Sequence, residues 1–222
     1  MVFFEKTFPA PSSLEIEYNK IDGKYNQQDV LDQLYRDFKN KCYICESRGI
    51  EAINIEHFAP HKKINKIRKF NWSNLFWACS HCNKIKSDKE DFLNCILKDE
   101  NIDTKIKYLL NDDLIDNKVV VEAINTDIRT QNTTELLKAI YNGTSSQNKF
   151  QAREKRNKLY DELSDFTSLL LKYFRTEDVL KKDDLLVSIK NELSNKSEFT
   201  AFKRWIVRSD LKYDHLKQYI ID

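Results

Sequence analysis

Four of the five cysteines in this 222-residue chain fall into two pairs of identical spacing, Cys42-x2-Cys45 and Cys79-x2-Cys82. Two residues between ligands let both sulfurs of a pair turn toward one ion while backbone amides fold around them. Two such knuckles complete a tetrahedral thiolate cage. Two disulfides or a redox Cys-x-x-Cys are the competing readings. Nothing in the sequence indicates export, which disfavours disulfides, and a redox motif has no use for a second matching pair. The spacing therefore predicts a structural Zn2+ held by Cys42, Cys45, Cys79 and Cys82. Binding free energies of about 10–16 kcal/mol in small zinc modules make such an ion part of the fold. Four protein ligands leave no open position, so the ion is expected to do no chemistry itself. Cys95, the fifth cysteine, reads as a small buried apolar residue.

Only three glycines and three prolines occur in the chain. Sandwiches and barrels need many turn residues, so a helix-rich α+β fold is expected. With 41% hydrophobic residues there is enough apolar material for a core, which excludes wholesale disorder. No apolar run approaches the length of a bilayer span, and the start MVFFEKTF lacks the features of a signal peptide. A soluble, cytoplasmic protein with no membrane partner is the expectation.

The segment stapled by the two knuckles alternates over Ala52–His57, which predicts a strand, and returns to the cysteines through Trp72–Ala78, a second strand or loop. A helix start is expected from Ser80. Net charge is only +2, from 37 basic and 35 acidic residues, but the average conceals a patch. No acidic residue occurs from His57 to Ser87, where Lys62, Lys63, Lys66, Arg68, Lys69, Lys84 and Lys86 are basic. The sign flips downstream at Asp99, Glu100, Asp103, Asp112, Asp113 and Asp116. Polyanions respond to patches rather than to averages. Trp72 and Trp77 are candidates for base stacking, although packing around a small zinc core accounts for both.

The order Cys-x2-Cys, Glu56-His57, Asn74-Leu75, Cys79-x2-Cys82-Asn83-x2-Lys86 resembles the HNH endonucleases, which carry a ββα-metal fold and a four-cysteine zinc. The resemblance implies a metal-dependent phosphodiesterase. Phosphodiester hydrolysis needs a base for water, a cation on the scissile phosphate and a stabiliser for the leaving oxygen. His57 is then the general base, its ordinary pKa lying near working pH. Glu56 and Asn83 offer hard oxygen ligands for Mg2+ or Mn2+. Strand alternation turns Glu56 and His57 to opposite faces; in the family a local distortion brings both to the site. Asn74, the middle letter of the motif, is expected to bond loop backbone and hold the His57 strand. Lys86 shares a helix face with Asn83 and is expected to reach a phosphate. His61, Lys62, Lys63 and Lys66 are candidate phosphate contacts, with His61 also placed to touch metal or nothing. His81, between zinc ligands, is incidental. Glu56 stands where the family more commonly has Asp.

Elsewhere, residues 1–41 read as a loop-like lead and a helix over Gln27–Lys39, residues 42–98 as the zinc-stapled module, and residues 99–222 as a mostly helical region. A strand is expected at Lys118–Ile124, then a helix capped by Thr134, containing Leu136, Leu137, Ile140 and Tyr141 and stopped by Asn142-Gly143, and further helices near Lys149–Phe174, Lys182–Leu193 and Glu198–Val207. The blocks IEHFAPHKK, NWSNLFWACSHCNKIKSDK and, more loosely, NTTELLKAIYNG…FQAREKR look like PtuB-type HNH proteins of bacterial anti-phage systems (Septu and certain retrons). That resemblance implies a nuclease controlled by an ABC-type ATPase partner, PtuA-like, and acting on nucleic acid. DNA is the favoured substrate, with RNA or tRNA as the alternative. A zinc-stabilised binding or scaffold protein with an inactive site is the rival from another class.

Overall fold

The computed structural model describes residues 1–49, 52–110, 118–143 and 145–221. Asp112, Asp113 and Asp116 of the acidic stretch lie outside them. Among the described residues helices dominate, with two small antiparallel sheets, so the α+β class holds. The chain runs α1 (Ser12–Tyr18), α2 (Gln28–Asp37), β1 (Ile53–His57), α3 (Lys66–Phe70), β2 (Leu75–Cys79) and α4 (Ser80–Lys86). It continues through α5 (Ile102–Lys105), β3 (Ile106–Leu110), β4 (Val119–Ala123), α6 (Ile128–Asn142), α7 (Ser146–Arg175), α8 (Val179–Leu193) and α9 (Thr200–Ser209). No helix among the described residues is long and apolar enough to cross a membrane.

β1 and β2 pair with Ile53 opposite Cys79 and His57 opposite Leu75. β2 is buried along its whole length; α2 packs on it, with Tyr35 against the Trp77 ring at 6.2 Å between centroids and Phe38, the residue that ends α2, against Phe76 at 5.5 Å. β2 then passes without a loop into α4. Cys79 is the N-cap of that helix, its sulfur accepting from the Cys82 amide at 3.4 Å. The second knuckle is thus also a helix cap, a sulfur standing where Ser or Asp usually serves. α4 stops at Ser87, which has φ +52°.

Three departures from expectation concern two added elements and one helix start. The lead is not wholly loop: it contains α1, and Met1, Val2 and Phe4 are core residues. α6 starts six residues before Thr134, because Asp127 caps it by accepting from the Thr130 amide at 3.0 Å. Thr134 instead turns its hydroxyl back to the Thr130 carbonyl at 2.8 Å. β3 was not foreseen; it pairs with β4, the expected strand. At the end of α6, Gly143 has φ +71°, and a Cβ there would meet Lys149 backbone at 2.7 Å. Glycine is the residue that permits the tight α6–α7 corner.

Among the described residues, one apolar core runs from Met1 through the knuckles and α6 to Phe202, so that Met1, Val30 and Leu34 before the first knuckle and Ile106, Leu137 and Phe202 after the second share it with the four cysteines. A smaller core, built from Phe166, Leu170, Ile189, Leu193 and Leu216, closes the far end of α7 and α8. Trp72 and Trp77 are 3% and 7% exposed, which removes both from any base-stacking role.

Candidate metal centre and adjoining cleft

The four knuckle sulfurs lie within 4.8 Å of one another, buried and unbridged. Cys45 and Cys79 Sγ are 3.9 Å apart. A tetrahedron with metal–sulfur bonds of about 2.3 Å has edges of about 3.8 Å, so the cage fits a metal such as zinc. Burial pushes the Cys42 and Cys82 thiols up, whereas hydrogen bonds from the other sulfurs and the Lys155 charge hold Cys45 down against its own burial. Lys155, on α7, was not singled out by sequence. Its Nζ lies 3.2 Å from Cys45 Sγ and 3.8 Å from Cys79 Sγ. Burial alone would lower its pKa, but the sulfurs, Cys45 foremost, raise it well above the usual value. A cage of four thiolates around a divalent ion carries two surplus negative charges, and Lys155 offsets one of them. The sequence signal for Lys155 was absent, because the 72 residues between it and Cys82 give no spacing to read.

His81, between two ligands, points away from the cage. Its Nδ1 meets Gln151 Oε1 at 2.9 Å and its Nε2 meets the Ile140 carbonyl at 3.0 Å. The imidazole clamps α6 and α7 onto α4. Cys95 is fully buried, and burial pushes its thiol far above the ordinary range.

Beside the cage, the end of β1 and the outer face of α4 border an open cleft of about 700 Å³. It brings together Glu56, His57, His61, Lys62, Lys63 and Asn83. The pleat sends Glu56 and His57 to different partners, yet both reach the cleft wall. Glu56 is 3% exposed; its Oε1 accepts from Lys86 Nζ at 2.6 Å and its Oε2 from the Tyr43 hydroxyl at 2.7 Å. Burial raises the carboxyl above its ordinary range, against the opposing pull of Lys86 and Tyr43. His57 Nε2 lies 3.0 Å from the Lys69 carbonyl. A carbonyl only accepts, so in the neutral ring Nε2 carries the proton and Nδ1 keeps its lone pair. Nδ1 has no hydrogen-bond partner among the described residues, which leaves it to water in the cleft. Burial lowers the His57 pKa to about 4, the neighbouring His61, Lys86 and Lys69 charges adding to it and the Lys69 carbonyl opposing it. Tyr25 and His61 flank the ring, with centroids at 4.6 and 4.4 Å.

Asn74 lies beneath the cleft. Its Oδ1 accepts from the Ala59 amide at 2.7 Å, and its Nδ2 donates to the Ala59 and Arg68 carbonyls at 2.8 and 3.0 Å. It pins both ends of the loop whose Lys69 carbonyl orients His57. Asn83 projects from α4 with a side chain that makes no hydrogen bond among the described residues. His61 Nδ1 accepts from the Lys63 amide at 3.1 Å.

Two expected phosphate contacts are corrected. Lys86 is fully buried and bonds Glu56 and, at 3.3 Å, the His57 carbonyl, so it positions β1 and reaches no ligand. Helix periodicity placed it near Asn83, but α4 is so short that its last turn tucks under the hairpin. Lys66 lies outside the cleft: its Nζ bonds the Lys20 carbonyl at 2.9 Å and stands over the Tyr18 ring. Arg68 and Lys69 are likewise drawn to Glu90 and to the Gly23 carbonyl. Of the seven basic residues in the patch, Lys62, Lys63 and Lys84 line the cleft. Lys62 and Lys63 are held there by consecutive left-handed residues, φ +48° and +60°. Tyr43, Tyr25 and the Lys69 carbonyl complete the site without having been legible: Tyr43 sits inside a knuckle, and a backbone acceptor has no sequence signature.

Comparison of the chain with protein-family models, curated proteins and solved structures gave no match.

Proposed function

We propose that the protein is a metal-dependent nuclease of the HNH class, hydrolysing phosphodiester bonds of nucleic acid at the Glu56–His57–Asn83 cleft. The observation that carries this reading is the His57 ring: a backbone carbonyl fixes its tautomer, and the remaining lone pair has only the cleft to face. Its Nδ1 takes the proton of a water whose oxygen attacks phosphorus, and the P–O bond to the leaving group breaks opposite. A Mg2+ or Mn2+ ion bound here would neutralise the phosphate and the departing oxygen. Asn83 Oδ1 and the Glu56 carboxylate are the oxygen donors for it. Each carboxylate oxygen keeps a second lone-pair direction, so the Lys86 and Tyr43 bonds orient Glu56 without exhausting it. Lys62, Lys63 and Lys84 supply positive charge along the rim for a polyanion. The thiolate cage with zinc braces β2 and α4, the two elements that carry the cleft.

DNA as the preferred substrate rests on the likeness to HNH nucleases, and an anti-phage role with an ABC-type ATPase partner rests on the likeness to PtuB-type proteins; a cytoplasmic location is proposed with them. Incubating the zinc-loaded chain with plasmid, single-stranded DNA and tRNA, with and without Mg2+ or Mn2+, tests the activity. Divalent-dependent cleavage lost in His57→Ala at unchanged zinc content is the expected result. No cleavage of any substrate, alone or with the ATPase co-purified from the native operon, removes the proposal. Cleavage retained by His57→Ala removes the base.

A further inference from the structure

The first part of α7, Lys149–Lys158, carries five cations and the single carboxylate Glu154. Two of the cations are engaged: Lys155 with the cage sulfurs, and Lys158 with the Arg48 carbonyl and Glu198. The other three, Lys149, Arg153 and Arg156, line an open pocket of about 520 Å³ together with Lys118, Asn142 and Phe150. Among the described residues, the charges of Lys149, Arg153 and Arg156 meet little opposing charge. Lys149 Nζ has no partner among the described residues. Arg153 faces Glu154 at 3.8 Å with both side chains about 60% exposed, a pair of little strength. Arg156 gives Nη1 to the Tyr141 carbonyl at 2.5 Å, which fixes the guanidinium in place, and its Nη2 bonds nothing among the described residues. Phe150 is 60% exposed, and the Arg153 guanidinium lies 5.1 Å from its ring centre. Asn142 forms a rigid wall, both ends of its amide being bonded to Val119.

We infer that this pocket is a second binding site, for a single-stranded stretch of polynucleotide. The cations take phosphates, and Phe150 with its guanidinium neighbour takes an unpaired base. A duplex hides its base faces and offers nothing to an exposed ring. The pocket is coupled to the cleft through α4, a helix of seven residues and so about 10 Å long. His81 of α4 is bonded to Gln151, the neighbour of Phe150, while Asn83, two residues on, borders the cleft. A strand leaving the cleft along α4 reaches α7 directly. The inference deepens the nuclease reading and rests on it for the nature of the ligand.

The test is fluorescence anisotropy of a short labelled single-stranded DNA, titrated with the zinc-loaded full chain without added divalent ion, over a series of salt concentrations. Phe150 and Lys149 are exposed, so substitution there leaves the fold intact. Lys149→Ala combined with Arg153→Ala should lower the slope of log affinity against log salt by about 1.4, since each single-strand phosphate contact contributes about 0.7. Phe150→Ala should weaken binding roughly tenfold, and Phe150→Trp should retain it. Wild-type affinity and salt slope in both alanine variants overturn the site, and cleavage by the wild-type chain would then leave the nuclease standing. Binding that depends on these residues in a chain that cuts nothing keeps the site and removes the nuclease. A wild-type chain that binds no single strand overturns the site as well.

Discussion

Lys86 Nζ lies 2.6 Å from Glu56 Oε1, with both side chains almost wholly removed from solvent. The pair joins the last turn of α4 to the end of β1 and so fixes the distance between the two elements that border the cleft. Removing one partner strands the other charge in the interior, which costs about 3–5 kcal/mol. Lys86→Ala is therefore expected to destabilise the chain by that amount in urea unfolding. Glu56→Gln with Lys86→Met removes both charges and should recover most of the loss, because the remaining shape is nearly conserved. Equal destabilisation of the single and double variants would show that packing, not charge, joins α4 to β1.

His57 is expected to set an unusual pH profile. A pKa lowered from 6.5 to about 4 leaves the ring neutral, and competent as a base, throughout the neutral range. The single-turnover rate should therefore stay level as pH falls through 6.5 and decline only as it approaches the folded value, about 4. Stability follows the same sign. The unfolded ring binds a proton between these two values and the folded ring does not, so unfolding free energy falls as pH drops through that window. Burial of this ring puts the loss at about 3 kcal/mol at most. His57→Gln should flatten that part of the stability curve. A rate midpoint near the ordinary histidine value would mean that the ring is solvated in the working state.

The gathering of the four cysteines was legible because cysteine spacing within each pair is local. The pairing of β1 with β2 was legible for a related reason: stapled ends force the chain between them to return. What escaped was long-range and chemically anonymous. Lys155 reaches the sulfurs from the first third of a thirty-residue helix whose pattern announces only an apolar stripe. Lys86 had the right helical spacing for a phosphate contact, but periodicity gives a face and not its surroundings, and that face turned inward. The carbonyl of Lys69 belongs to the backbone and is invisible in any side-chain pattern. Asp127 lay outside the expected helix because Thr134 offered a competing cap further on.

Lys155 should govern how tightly the cage holds its ion. Outer partners of metal ligands are worth roughly 10–100-fold in metal affinity, and this one is a cation facing two thiolates. Lys155→Met keeps the length of the side chain and removes the charge. Competition with a chromophoric chelator should show zinc affinity lowered by about that factor, while Lys155→Arg retains most of it. Unchanged affinity in Lys155→Met would reduce Lys155 to a packing residue between α7 and the knuckles.

Asn74 offers a test of how the loop serves the ring. Its three bonds hold Ala59 and Arg68, and the carbonyl that orients His57 belongs to the very next residue, Lys69. Asn74→Ala leaves one amide and two carbonyls without their partner, and at about 1 kcal/mol each the expected loss is about 2–3 kcal/mol of stability. Zinc content should not change, since no knuckle residue touches the amide. Nitrogen NMR of the imidazole supplies the decisive readout. In the wild-type chain the proton should sit on Nε2; in Asn74→Ala the two tautomers should exchange as the loop loosens, and cleavage should fall with the Nε2-protonated fraction. Asn74→Asp keeps the acceptor for Ala59 but sets a carboxylate against two carbonyl oxygens, so it should be worse than alanine. A variant that loses stability with its tautomer still fixed would show that Lys69 is held by α3 alone.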